Sequence, residues 1–239
     1  CTAVSNNTVT VTVNNLTAGS ITGDQTVCPN TSVTTFGWTA AKGDGDITYQ
    51  WQNSTDGGTS WSNIGSATSA TYTSPNLLAD AQYRRIATST LNTVACTAVS
   101  NTLTVTVNNH NPGSVSGDQT ICAGADAAEF GSVAATGDGT ITYQWEQNTS
   151  YPGGPTWADV VGATSATFDA GVQHADVQYR RIAISTLDGI VCRAPSNAVT
   201  ITVNNVTAGI VAGDQTICSG GDPVAFTVST ASTGDATPT

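Results

Sequence analysis

Apolar residues alternate with Thr, Ser and Asn along most of this chain. The string ITYQW, at 47–51 and again at 141–145, sets Ile, Tyr and Trp on every second position, which gives an extended strand one apolar and one polar face. TVTVTVNN at 8–15, TLTVTVNN at 102–109 and AVTITVNN at 198–205 keep the same period. Gly-rich turns, KGDGD at 42–46 and TGDGT at 136–140, punctuate the runs. Strands are expected at 20–28 and 114–122, at 32–39 and 127–134, and at the two ITYQW segments. A second Trp follows a Gly-Gly turn, at Trp61 and Trp157, and GSATSAT or GATSAT then leads into a further strand. A crossing through QYRR and final strands at 102–108 and 199–204 complete each unit. Roughly seven short strands in about 95 residues describe a β-sandwich.

The pattern is copied. GDQT, a β-branched residue and Cys begin at 23, 117 and 213, steps of 94 and 96 residues. CTAVSN at 1–6 returns at 96–101 and, as CRAPSN, at 192–197. Repetition at this period means one domain repeated along a line, with function shared by the array. The expected organisation is the last strand of a preceding repeat at 1–15, whole repeats at 16–109 and 110–205, and the start of another at 206–239. On this reading the chain is a window on a longer array, and Cys1 is the counterpart of Cys96 and Cys192 rather than a lipid-anchored terminus.

Composition sharpens this. Charged residues make up 10% of the chain and Met is absent, so few helix-favouring residues remain beside abundant Val, Ile and Thr. A net charge of −11 leaves no basic footprint for nucleic acid and disfavours an anionic membrane surface. No apolar stretch approaches the roughly 20 residues that span a bilayer, so direct membrane insertion is not expected. His110 and His174 do not recur at equivalent positions and have no partner nucleophile in a repeated constellation; no catalytic residues and no enzyme activity are expected.

The six cysteines fall in two classes: Cys28, Cys122 and Cys218 after GDQT, and Cys1, Cys96 and Cys192 before Ser-Asn. Pairing across junctions (Cys1–Cys28, Cys96–Cys122, Cys192–Cys218) uses all six, but a strand, a linker and another strand lie between Cys96 and Cys122 and would carry their sulfurs apart. The expectation is therefore Cys28–Cys96 and Cys122–Cys192, each closing a loop of about 70 residues worth ~4 kcal/mol on the chain-entropy model, in an oxidising extracytoplasmic location.

Trp51 and Trp145 on the third strand, with Asp80 and Asp176 a few residues before Tyr83 and Tyr179, resemble the immunoglobulin-like fold and its tyrosine corner. Arg85 and Arg181 stand two residues after that Tyr, where antibody domains carry Cys. The ordered set GDQT[VI]C, TYQW, a DGG or PGG turn before Trp, GATSAT, QYRR, Cys, Ser-Asn and TVTVN is similar to the tandem Ig-like repeats of large Bacteroidetes surface proteins, including SprB-type gliding-motility adhesins. The resemblance implies an all-β chain of tandem immunoglobulin-like β-sandwich domains in a linear array, at the cell surface. It also implies a role in adhesion or as a filament or stalk, with neighbouring repeats, surface polysaccharide or another cell-surface protein as partners.

Candidate sites are few. One Arg of each Arg84-Arg85 and Arg180-Arg181 pair should leave solvent, stacked on Trp51 or Trp61, and on Trp145 or Trp157, rather than serve a glycan or carboxylate. Trp51, Trp145, Tyr83, Tyr179, Arg85 and Arg181 are thus expected in the core. Asp44, Asp46 and Asp138 are the candidates for a Ca²⁺ site, although Thr140 replaces the second Asp in the next repeat and an ordinary turn role is favoured. No other cofactor is expected. Sequons at Asn6, Asn15, Asn30, Asn53, Asn148 and Asn205 are of the number that a Thr- and Asn-rich chain generates by chance.

Overall fold

In a computed structural model, residue 7 and residues 9–235 are described. The expectations for Cys1, Asn6 and most of the 1–8 segment lie outside the described residues. The chain forms two compact units, one of residues 1–109 with 186–192, the other of residues 110–185 with 193–239.

In the first unit, β1 (Leu16–Thr17), β2 (Ile21–Thr22) and β3 (Gln25–Val27) precede β4 (Gly37–Trp38), β5 (Lys42–Gly43), β6 (Asp46–Ser54) and β7 (Ser62–Asn63). The long β8 (Ala81–Leu91), β9 (Val94–Val99) and β10 (Leu103–Val107) follow. The main sheet runs β3-β10-β8-β6-β7, with β9 also paired to β8. β3 lies parallel to β10, with Val27 opposite Val107, and the β8 neighbours are antiparallel. The facing layer is built from short ladders, β1 with β5 and β2 with β4, extended by Phe36 N–H to Tyr72 C=O at 3.1 Å and Asn30 N–H to Leu77 C=O at 2.7 Å.

This layout explains why the 20–28 stretch, expected as one strand, is two. Gly23 adopts φ 117°, a conformation that side chains disfavour, and passes the chain from the β2 ladder to the main sheet. Gly117 (φ 116°) does the same in the second unit, and Gly213 (φ 118°) has the same conformation.

Between the layers, Phe36, Trp51 and Tyr83 pack with Leu103, Val105 and Val107, all at most 2% exposed. The alternating β10 pattern supplies the last three from one face. Trp51 is fully buried, and its indole N–H donates to Ser69 C=O at 2.9 Å.

The second unit contains β11 (His110–Asn111), β12 (Ser114–Ser116), β13 (Gln119–Cys122), β14 (Gly131–Val133), β15 (Thr136–Gly137), β16 (Thr140–Asn148) and β17 (Trp157–Asp159). β18 (Val177–Leu187) and β19 (Ile190–Asn204), whose shared tip at 186–192 belongs to the first unit, complete a sheet ordered β13-β19-β18-β16-β17, again with β13 parallel to β19. Its core is Phe130, Trp145 and Tyr179 with Val199, Ile201 and Val203. Beyond it come β20 (Val206–Thr207), β21 (Ile210–Ala212), β22 (Thr227–Thr230) and β23 (Thr233–Gly234). There Phe226, the counterpart of Phe36 and Phe130, is 68% exposed. The protein is all-β and carries tandem Ig-like β-sandwich repeats.

The expected disulfides are corrected by the structure. Cys28 is bonded to Cys192, and Cys96, Cys122 and Cys218 are free thiols. The reason is strand length. Cys28 ends next to Asn108, whose N–H donates to Val27 C=O, while Cys96 stands 12 residues earlier on the β9–β10 run. Cys122 pairs in register with Asn204, and Cys192 stands 12 residues earlier on β19. At ~3.3 Å per residue either separation is about 40 Å, far beyond bonding reach.

Candidate functional site

The GDQT signature is a set of backbone caps. Asp24 accepts the Thr104 N–H at 2.6 Å, holding the start of β10. Gln25 spans to the next segment, accepting from Thr34 N–H at 2.9 Å and donating to Thr34 C=O at 3.3 Å. Asp118 and Gln119 repeat these bonds to Thr200 N–H and to Ala128. The Ser-Asn signature is a second cap. Asn101 accepts from Ile21 N–H at 2.9 Å and donates to Ile21 C=O at 2.8 Å, so its amide mimics a strand neighbour; Asn197 does so at Val115. Ser100 accepts the Arg85 N–H at 2.9 Å, and Ser196 the Arg181 N–H at 3.0 Å.

The two arginine pairs divide as the strand alternation requires. Arg85 and Arg181 are fully buried. Arg85 donates to the carbonyls of Ala70 (2.6 Å), Thr39 (2.7 Å) and Ala18 (3.5 Å), and Arg181 to those of Ala166, Val133 and Pro112. The nearest aromatic face differs from that expected: the Arg85 guanidinium lies 4.2 Å from the Tyr49 ring centre and 5.8 Å from that of Trp51, and Arg181 lies 4.3 Å from Tyr143. Trp51 has moved its ring into the aromatic cluster with Phe36 and Tyr72. Burial pulls both guanidinium pKa values below their usual level.

Arg84 and Arg180 stay at the surface of the opposite face. Arg84 covers Trp61 at 4.3 Å and donates to Gln52 at 2.7 Å, while Arg180 covers Trp157 at 4.3 Å and donates to Glu146 at 2.6 Å. This half-buried Arg–Trp pair, on a plane of strand backbone, is the chain's most distinctive recurring surface feature with groups suited to a polar ligand.

At the corner, the Tyr83 hydroxyl lies 2.6 Å from Ser74 Oγ, and burial raises the phenol pKa. Asp80 does not reach the Tyr; it accepts the Val107 N–H at 2.7 Å, as Asp176 accepts that of Val203. In the Gly-rich turn, Asp44 accepts from the backbone and side-chain amides of Asn15, both at 2.9 Å, and these bonds lower its pKa. Asp46 opens β6 opposite Thr90. Asp44, Asp46 and Asp138 are in no cluster of three or more metal-ligating side chains among the described residues. His110 and His174 likewise join no such cluster there.

The remaining site is the cysteine edge of the first unit. The hairpin tip 186–192 packs beside β3: Thr26 donates to Asp188 at 2.8 Å, Asn108 donates to Ile190 C=O at 3.2 Å, and the Cys28–Cys192 bond closes the arrangement. Sequence reasoning missed this edge because the two cysteines belong to different copies, 164 residues apart.

The model of a domain of unknown function (DUF8696) matches residues 17–109 and again 111–205. No curated protein sequence matches the chain. Among solved structures, the three N-terminal domains of the Highly Immunogenic Outer Capsid protein (Hoc) of bacteriophage RB49 are similar at 15% identity and TM-score 0.42, over 80% of this chain and 70% of that one. The N-terminal four Ig domains of Dscam1 isoform 6.9 are similar at 13% identity and TM-score 0.33, over 77% of this chain and 46% of that one. A Ca²⁺-stabilized adhesin that helps an Antarctic bacterium reach out and bind ice is similar at 15% identity and TM-score 0.35, over 84% and 51%. The chain spans about half the length of the last two.

Proposed function

We propose, from the premise that this chain belongs to the DUF8696 family, that it is a non-catalytic segment of an extracellular repeat protein acting in cell-surface adhesion. The observation that carries the reading is the duplicated Arg84–Trp61 and Arg180–Trp157 pair, the same Arg-over-Trp stack offered once per repeat, backed by Gln52 in the first and Glu146 in the second. A weak contact copied along an array becomes strong through effective concentration. The Cys28–Cys192 bond supports an oxidising location outside the cytoplasm. A surface polysaccharide, or a cell-surface protein, is the partner class that a flat Arg–aromatic face suits. The finer tie to SprB-type gliding motility rests on the ordered strings of the sequence alone.

A second reading, a stalk that displays a binding domain elsewhere, is favoured by one observation: GDQT, Ser-Asn and the buried Arg are all spent on backbone caps. The chain, arrayed at one, two and four copies on a carrier, separates the two on a panel of polysaccharides, glass and plastic. Adhesion predicts binding that climbs with copy number and falls when Arg84→Ala and Arg180→Ala are combined. A stalk predicts none at any valency.

A further inference from the structure

We propose that the Arg84 stack of the first repeat is a site for a negatively charged sugar, a uronate carboxylate or sulfate ester of an acidic polysaccharide, and that the Arg180 stack of the second repeat is closed to the same group. The inference rests on the adhesive reading and adds which ligand chemistry each copy accepts.

The two stacks share their aromatic half, with each guanidinium 4.3 Å from the indole centre beneath it. They differ in what the guanidinium faces across the sheet. Arg84 stands opposite Gln52 on β6, and Gln52 stands opposite Asn63 on β7. In the second repeat Arg180 is bonded to Glu146 on β16, and Glu146 stands opposite Asp159 on β17. Each amide of the first repeat is replaced by the acid of the same shape.

That exchange decides the charge. Arg180 Nε donates to Glu146 Oε2 at 2.6 Å, an ion pair with only 25% and 14% of the two side chains exposed, so the arginine's charge is already matched. Asp159 adds a second carboxylate, 4.0 Å from Arg193. In the first repeat Arg84 Nε donates to the neutral Gln52 at 2.7 Å, and the Gln52 amide donates to Asn63 at 2.8 Å. Arg84 forms no ion pair among the described residues.

Arg84 is also pre-set for a flat anion. Trp61 lies under its plane, and the Trp61 N–H is itself fixed on Gly58 C=O at 3.0 Å. With Nε engaged by Gln52, the edge carrying the two terminal nitrogens remains for a ligand, and its fork matches two oxygens of a carboxylate or sulfate. A side chain already held this way loses little freedom on binding. Gln82 on β8 and Asn63 on β7 flank it with amides suited to sugar hydroxyls. The chain as a whole carries −11, but exposed charges more than about 8 Å away are largely screened at physiological ionic strength. The site lies within the body of one repeat: the hairpin tip at 186–192 bonds to Thr26 and Asn108 at the β3 end of the sheet, whereas Trp61 and Arg84 lie toward β7.

The test arrays the 239-residue chain on a carrier and measures binding to surfaces bearing polygalacturonate, dextran sulfate, polyglutamate or neutral dextran. Polygalacturonate or dextran sulfate should be bound at least tenfold more tightly than dextran or polyglutamate, with binding that weakens as salt rises. Gln52→Glu with Asn63→Asp should abolish that preference, and Glu146→Gln with Asp159→Asn should strengthen binding several-fold by opening a second site. Each double variant copies an arrangement that the other repeat already folds with, and an unchanged urea midpoint checks this. Arg84→Ala should remove binding while Arg180→Ala leaves it within twofold. Equal losses for those two variants, indifference to the amide–acid exchanges, or polyglutamate bound as well as polygalacturonate would overturn the proposal. Dextran bound equally by both repeats would overturn it and leave the adhesive reading standing. No binding to any polysaccharide, glass or plastic at any copy number would overturn both.

Discussion

Arg85 lies with its guanidinium 4.2 Å from the centre of the Tyr49 ring, on neighbouring strands of one sheet, and is wholly removed from solvent. Among the described residues it forms no ion pair; backbone carbonyls of three separate segments accept from its two terminal nitrogens instead. It occupies the place where an antibody domain would set a disulfide, and it ties the two layers through hydrogen bonds rather than a covalent bond.

Arg85→Ala should accordingly destabilise the first unit by about 3 kcal/mol, because it leaves buried carbonyls unpaired as well as a cavity. Arg85→Lys should recover little, since a point-charge ammonium cannot reach Ala70 and Thr39 together. Urea unfolding of the two variants checks this; a loss under 1 kcal/mol for Arg85→Ala would contradict it.

Asp80 tests the corner. Its one described role is to accept the Val107 N–H, so Asp80→Ala should cost about 1 kcal/mol and Asp80→Asn, which keeps an acceptor, much less. Equal losses in thermal unfolding would mean that the charge, not the hydrogen bond, matters.

Acid should act on the two repeats unequally. Asp56 accepts from Ser54 and Ser60, and these bonds hold its carboxyl well below the usual range. The unfolded chain therefore takes up this proton before the folded one does. The contribution is complete above the ordinary value of 3.8 and is lost as pH falls from there through the lower folded value. In the second repeat the matching turn is held by Asn148, which accepts from Ser150 and Thr156 N–H and does not titrate. Asp56→Asn should flatten the decline in first-unit stability between about pH 4 and pH 2. An unchanged acid limb in urea titrations would refute this assignment.

Much of the fold is legible in the chain itself. Period-two alternation in ITYQW and TLTVTV places Trp51 and Val105 in the core, because both follow from strand geometry alone. The turn chemistry was harder to read. A string such as GDQT shows that Gly23, Asp24 and Gln25 recur, but the atoms they satisfy, at Thr104 and Thr34, are set by tertiary pairing. The same holds for Asp80, expected beside Tyr83 and found on Val107. Tyr49 outcompetes Trp51 for Arg85 because the indole is engaged by Ser69. The cysteine pairing was illegible for a plainer reason: counting within a repeat ignores that the last strand carries its Cys to the far end from Cys28.

Peptide mapping of the unreduced chain tests that point most directly. The account predicts a peptide pair joining Cys28 to Cys192, with Cys96 and Cys122 alkylated as free thiols in freshly prepared monomer. Recovery of Cys28 with Cys96, or of Cys122 with Cys192, would contradict it.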